Sequence, residues 1–502
     1  MNPRQAYEEL LGMSREIKLL GSVMGVLHWD QRTQIPDKGH PLRVEQLTYL
    51  TGVTHKKVTN PKWADLLIKV EGSDLIDDPL CVEAVNIREW RHMYDRVTKI
   101  SEKLAVELAR ASAEGQAAWE KARPANDWNS FKPYLERIVR LNLEAAEALG
   151  YDNEPYDALI DDYERGETST SIGPILQQLR DPLIELLERI QSAPKQPNPS
   201  VKSGHFPIDQ QAEFGQLVAE KLGYDFSGGR LDVSAHPFTS GIGPGDVRIT
   251  TRYNEHSFND AFFATIHEAG HGMHNQGLPL DHWGTPICGY NSLGIGESQS
   301  RLWENMVARS TAFWSHFYPL LQSHFPEFES VRLDDFVLAT NEVRPGLIRV
   351  FADEVTYNMH ILLRFELETS LMRKDLSVDD LPDAWNDKMN EYLGIVPPNY
   401  TDGVMQDVHW AGGAIGYFPT YTLGNLYAAQ FFAQAKKDLG DLDTMFANGD
   451  FVPLLNWLRE KIHSQGARFL PRDLAEDVTG EDLNPQYLID YLNTKYAVLY
   501  GF

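Results

Sequence analysis

The sequence predicts a mainly α-helical protein with one small β-sheet, on three observations. Apolar residues recur at three-to-four spacing through most of the 502 residues. One glycine-rich stretch near the middle contains a run alternating β-branched with polar residues. No internal repeat or low-complexity tract divides the chain, so one large body over residues 1–502 is expected, with any lobes marked by topology rather than by a linker.

In chain order, helices are expected over 3–20, 41–58, 80–121 and 130–149, where charges alternate with the apolar positions. Another is expected over 173–192, after Thr168-Ser169-Thr170-Ser171. Pro194, Pro197 and Pro199 cannot continue a helix and mark an exposed link. Helix returns over 209–222. Residues 225–256 hold Gly228-Gly229, then Gly241, Gly243 and Gly245, and the alternating run from Asp246 to Tyr253 predicts a strand. Helices then resume over 258–276, 294–323, 333–373 and 421–439.

With 42% hydrophobic and 24% charged residues, the chain can bury a sizeable core. Its 72 acidic against 46 basic residues give a net charge of −26, which argues against nucleic-acid or anionic-membrane partners, since both need a basic footprint. Cys81 and Cys288 form neither a CxxC pair nor a disulfide framework. The N-terminus lacks a signal-peptide pattern and no stretch has membrane-spanning length, so the expected location is cytoplasmic.

The informative motif is His267-Glu268-Ala269-Gly270-His271. Ser257 and Asp260 have capping-box spacing at its helix start, and Gly277 before Leu278-Pro279 provides a stop. Four residues apart on a helix, His267 and His271 point the same way and can share one ion at about 2.0–2.1 Å. Glu268 is placed to take a proton from attacking water and return it to a leaving amine. The bland alternative is a pair of surface histidines on a solvated helix. Phe262, Phe263 and Ile266 before the motif weigh against it, as do Gly270 and Gly272, whose helix cost signals a close approach by another element. A catalytic site needs a third ligand. Glu297 is favoured because it opens another helix; His274 and His282 are rivals by proximity, although His274 lies one turn too far for the same tetrahedron.

Further blocks follow in order: His236-Pro237-Phe238, Asp246-Val247-Arg248-Ile249-Thr250, Gly296-Glu297-Ser298-Gln299, Ile348-Arg349-Val350-Phe351-Ala352-Asp353, and Gly403 to Trp410 with Gln406-Asp407-Val408-His409. With these the chain resembles the carboxypeptidase Taq family of metallocarboxypeptidases almost from end to end. The resemblance implies a single catalytic domain over 1–502, two lobes flanking a deep groove, and the helical architecture of the neurolysin and angiotensin-converting-enzyme group. It also implies the metal ligands His267, His271 and Glu297, a homodimer, and peptide substrates with a free C-terminus, trimmed one residue at a time; two nitrogens and a carboxylate suit zinc, with cobalt or another divalent metal as alternatives. One departure stands out: Gly296 lies where the family has histidine, directly before the ligand glutamate.

Removal of C-terminal residues demands a cation for the substrate carboxylate. Arg349 is the expected choice because a guanidinium forks onto a carboxylate; an i,i+4 ion pair with Asp353 is its structural alternative. Arg248 and Arg252 are further candidates, and His236 is expected to shape the site. His409 with Tyr417 or Tyr421 fits the donor that a developing oxyanion needs, the alternative being satisfied core groups. Asp407 is expected to orient a histidine, and Trp29 to serve packing. Rival functions are a metallo-oligopeptidase or dipeptidyl-carboxypeptidase of the neurolysin group, and a catalytically silent peptide-binding scaffold.

Overall fold

The computed structural model describes residues 1–290 and 292–502, and most of them are helical. The first helix, Pro3–Thr33, starts in a reciprocal cap between Asn2 and Gln5. It runs past the expected end at residue 20 because nothing stops it before Ile35-Pro36. It packs against the helix His40–Val58. The expected helix over 80–121 is two helices, Val82–Lys99 and Glu102–Ala122. The break falls at Ile100-Ser101, where extended Ser101 accepts the Leu104 N–H as an N-cap. Thr168 caps Ser169–Gln191 in the same way, so that helix starts earlier than expected.

The sheet lies beside the motif helix, as expected. Its strands are β1 (Gly229–Val233), β2 (Thr239–Gly243) and β3 (Asp246–Thr251), with β3 central. β3 runs parallel to β1, placing Leu231 opposite Ile249, and antiparallel to β2, placing Thr239 opposite Ile249.

The motif helix, Phe258–Gly277, is anchored at its N-terminal half by aromatic packing. Phe258 stacks on Phe262 with ring centroids 5.1 Å apart, and both meet Phe214 and Trp314. Such pairs add about 0.5–1.5 kcal/mol each beyond area burial. The capping box expected at Ser257 is absent: Ser257 makes no side-chain cap, and the short Asp260 carboxylate lies 3.4 Å from the Asn254 amide instead. The two motif glycines are explained by close approach. A Cβ at Gly270 would lie 2.7 Å from the Gln299 carbonyl oxygen, and one at Gly272 would lie 2.5 Å from the Tyr224 ring.

Two expected long helices are interrupted. The span 294–323 comprises Leu293–Arg301, a π turn over Leu302–Val307, and Thr311–His324 capped by Ser310. The Ala308 N–H donates to the Trp303 carbonyl, closing the π turn. The span 333–373 contains Leu333–Thr340, an irregular segment with Pro345-Gly346, a 3-10 turn at Arg349–Phe351, and Thr356–Arg373. The helix Pro419–Leu439 then crosses Leu293–Arg301 closely: a Cβ at Gly424 would lie 2.6 Å from Glu297 Cγ.

These elements enclose a groove of about 1060 Å³. Away from it, Tyr7, Leu10, Trp63 and Trp90 form a smaller core under the N-terminal helices. Trp29 is buried beneath the Arg248 and Arg230 guanidiniums, which fits the packing role expected of it. Among the described residues no helix is long and apolar enough to cross a membrane. Cys81 and Cys288 are free.

Candidate active site

The motif helix and Leu293–Arg301 bring His267, His271 and Glu297 to one wall of the groove. Glu297 Oε2 lies 3.8 Å from His267 Nε2 and 3.4 Å from His271 Nε2, and one ligand atom from each residue falls within 4.8 Å of the others. Tetrahedral bonds of 2.0–2.1 Å put ligand atoms roughly 3.3 Å apart. The donor set therefore fits a divalent ion with small adjustments, and two nitrogens with one carboxylate suit zinc chemistry. The rival ligands stand elsewhere. His274 is buried against Tyr290, where burial pushes its imidazole down to about 3, and His282 is exposed in a 3-10 turn.

The surrounding charges fix the triad's orientation. His267 Nδ1 lies 2.9 Å from Glu304 Oε2, so Nδ1–H donates there and the Nε2 lone pair faces the groove. Arg301 Nε donates to Glu297 Oε1 at 2.8 Å, leaving Oε2 toward the histidines. Glu304 also meets Arg301 and Arg309. Burial alone would raise both carboxyls; Arg301 and the neighbouring cations outweigh it and hold both well below the usual range.

Glu268 is buried to 7% exposure, and Thr239 Oγ donates to its Oε2 at 2.6 Å from β2. Thr239→Val is expected to lower kcat roughly 10-fold or more with KM little changed, by the logic of lost orienting contacts. Steady-state kinetics checks this, and an unchanged kcat would remove Thr239 from the site.

Arg349 is 4% exposed in its 3-10 turn. Its Nε and Nη2 donate to Asp407 Oδ1 at 3.1 and 2.8 Å, and Nη1 donates to the Tyr357 hydroxyl at 2.8 Å. The expected alternative, an ion pair with Asp353 on one helix, does not form because the helix is broken there. Asp353 instead accepts the Val355 and Thr356 N–H groups at the start of Thr356–Arg373. Arg364 also donates twice to Asp407, through Oδ2 at 2.8 and 2.6 Å. Burial holds the adjacent His360 and His409 neutral, at about 3 and about 4. Two buried guanidiniums thus share the Asp407 carboxylate, and the nearby buried Glu368, whose carboxyl burial pushes up to about 7, is a second acid within reach of Arg364's charge.

Tyr417 and Tyr421 line the groove with the triad. His409 is not part of that lining; it packs against both tyrosines, with Nε2 3.5 Å from the Tyr421 hydroxyl and Nδ1 3.8 Å from Asp407. His236 is exposed and lies outside the lining, although its neighbour Pro237 belongs to it. Arg248 also lies outside it, paired with Asp246 at 2.7 Å and stacked over Trp29 at 4.3 Å, so β3 turns this guanidinium away from the groove. Arg252 is exposed, its Nη1 3.4 Å from the Ala235 carbonyl.

Sequence reasoning missed Thr239, Arg301, Glu304, Arg364 and Tyr357. A signal existed for two of them: Arg301 and Glu304 are charges three apart within a run that is otherwise buried.

The family model for the carboxypeptidase Taq (M32) metallopeptidases matches residues 9–496. The thermostable carboxypeptidase 1 of Thermus thermophilus is 50% identical, with 100% of each chain covered. The carboxypeptidase 1 of Bacillus subtilis is 39% identical over 98% of this chain and 99% of its own. The crystal structure of the M32 carboxypeptidase from Deinococcus radiodurans R1 superimposes with a TM-score of 0.96 at 37% identity, covering 99% of this chain and 100% of that one.

Proposed function

We propose, from the premise that this chain belongs to the carboxypeptidase Taq (M32) family of metallopeptidases, that it releases single C-terminal residues from peptides with broad side-chain tolerance. The observation that supports this best is the buried Arg349 in the groove lining, which has to share the Asp407 carboxylate with Arg364. A buried, undercompensated guanidinium gains most from an incoming carboxylate. Three of the five N–H donors of Arg349 have protein partners, so two remain for a ligand.

His267, His271 and Glu297 would hold the divalent metal, zinc by preference and cobalt as an acceptable substitute. When bound, the metal polarises the scissile carbonyl and makes water a better nucleophile. Glu268, oriented by Thr239, accepts the proton of the attacking water and returns it to the leaving amine. The Tyr417 or Tyr421 hydroxyl donates to the oxygen on which charge develops. His409 acts through Tyr421 as a positioning residue. In this reading His236 and Arg248 support the sheet rather than touch substrate.

The whole chain, 1–502, acts as one catalytic unit whose lobes flank the groove, in the architecture of the neurolysin and angiotensin-converting-enzyme group. A homodimer is inferred from the family resemblance, and sedimentation velocity tests it. A cytoplasmic site of action fits the two free cysteines.

The test is product analysis by mass spectrometry on an N-terminally blocked peptide with a free C-terminus and on its amide. Stepwise loss of single residues from the free peptide alone is expected. Internal cuts, paired losses or cleavage of the amide would move the assignment to the oligopeptidase rival. No cleavage by metal-loaded protein would leave the silent scaffold. Arg349→Lys is expected to lower kcat/KM roughly 10–200-fold, chiefly through KM, from loss of about 1.5–3 kcal/mol of charge-assisted bonding. Equal losses on free and amidated peptides would refute the carboxylate role.

A further inference from the structure

We infer that Tyr290 is a positioning residue of the metal site in this chain, and that Gly296 is what admits it; the inference rests on the metal site proposed above. Gly296 is buried and directly precedes Glu297. A Cβ built there would lie 3.1 Å from Tyr290 Cε2 and 3.5 Å from its Cζ, so the phenol ring already fills the space that a side chain at 296 would enter. The family resemblance implies histidine at that position. In a close-packed interior an imidazole and this ring cannot occupy one volume, so the two arrangements exclude each other.

The ring touches both ligand-bearing helices. It stacks on His274 at 4.9 Å and 26°, three residues beyond His271. His274 packs in turn on His463, whose Nε2 lies 2.9 Å from Gln299 Oε1, two residues beyond Glu297. The Tyr290 hydroxyl meets the side chain of Asn275, and Asn275 Nδ2 donates to the His271 carbonyl at 2.8 Å. Tyr290 also lines two cavities at once: the groove, beside His271 and Glu297, and a second of about 320 Å³ bordered by Ser14, Lys18 and Trp90. From this place, bordering both cavities, it fixes the spacing of Glu297 and His271.

A double-mutant cycle tests this, with Gly296→His, Tyr290→Ala and the two combined. The readouts are zinc affinity by chelator competition and the melting temperature of the metal-free protein. Each single change is expected to weaken zinc binding roughly 10–100-fold, and the combination to recover to within about 3-fold of wild type. Tyr290→Phe, which keeps the ring and loses only the hydroxyl's contact with Asn275, is expected to weaken zinc binding far less than Tyr290→Ala. Native affinity in either single variant, additive losses in the combination, or a Phe variant as weak as the Ala variant would overturn the inference. Should Gly296→His or Tyr290→Ala not fold, Gly296→Ala with Tyr290→Leu gives the same cycle with smaller steps and the same criteria. Wild-type protein that binds no zinc would refute the metal site itself, whereas coupling of 290 with 296 in the metal-free melting temperature would still stand or fall separately.

Discussion

Glu268→Gln is expected to lower kcat by roughly 10²–10⁴-fold while leaving metal affinity unchanged, the range associated with loss of a positioned acid–base group. The change is nearly isosteric, and an amide oxygen can still accept the Thr239 hydroxyl, so the local geometry survives. The proposed metal ligands are untouched, because Glu268 belongs to none of the contacts joining His267, His271 and Glu297. What is lost is the ability to take a proton from water and hand it on. Steady-state kinetics together with metal analysis of the same preparation checks the result. More than about a tenth of wild-type kcat with metal fully bound would contradict a general base at 268.

The largest stability effect is expected at Asp407. Asp407→Ala leaves Arg349 and Arg364 facing each other, 4% and 0% exposed, with no carboxylate between them. Removing one partner of a buried charge cluster typically costs about 3–5 kcal/mol, and urea unfolding with a folded-state activity control measures it. The pH dependence follows from the direction of the Asp407 shift. Burial would raise its carboxyl, but Arg364 and Arg349 outweigh this and hold it well below the usual range. A depressed carboxyl contributes stability that is present above its unfolded value, about 3.9, and is lost as pH falls through the folded one. The gap between wild type and Asp407→Ala should therefore be constant from neutral pH to about 5 and narrow only below about 4. A gap under about 1 kcal/mol at pH 7 would show that the two guanidiniums find other partners, Glu368 being one such acid for Arg364.

Helix content was legible in the sequence because amphipathic periodicity survives wherever one face is buried, as in Trp128–Leu149 and Ile208–Leu222. The breaks were not. Ile100-Ser101 and Ser310 interrupt apolar spacing that continues on either side, and only the polar residue's extended backbone reveals the cap. The irregular segment before Thr356 carried a visible warning in Pro345-Gly346, yet the periodicity bridged it. At the site, the two histidines were legible because i,i+4 spacing is local. Thr239 and Glu304 were not, since they reach Glu268 and His267 from a strand and a π turn whose placement depends on tertiary packing. Arg349, singled out for the substrate carboxylate, lines the groove, but its ion-pair partner is Asp407 rather than Asp353; Asp407 lies 58 positions away, and no periodicity encodes that contact.

The π turn at Leu302–Val307 constrains how the chain can change in length. Such a turn holds one residue more than an α turn, and here all six residues are buried. Deleting a single residue would restore regular helix and rotate everything downstream by about 100°. Arg309 would swing away from Glu304, which supports His267, and from the Thr340 carbonyl, which ties the turn to the far wall. A change of length by one residue in this turn is therefore expected to take away the support of His267, whereas the same change in the proline-rich segment 194–199 leaves that contact in place.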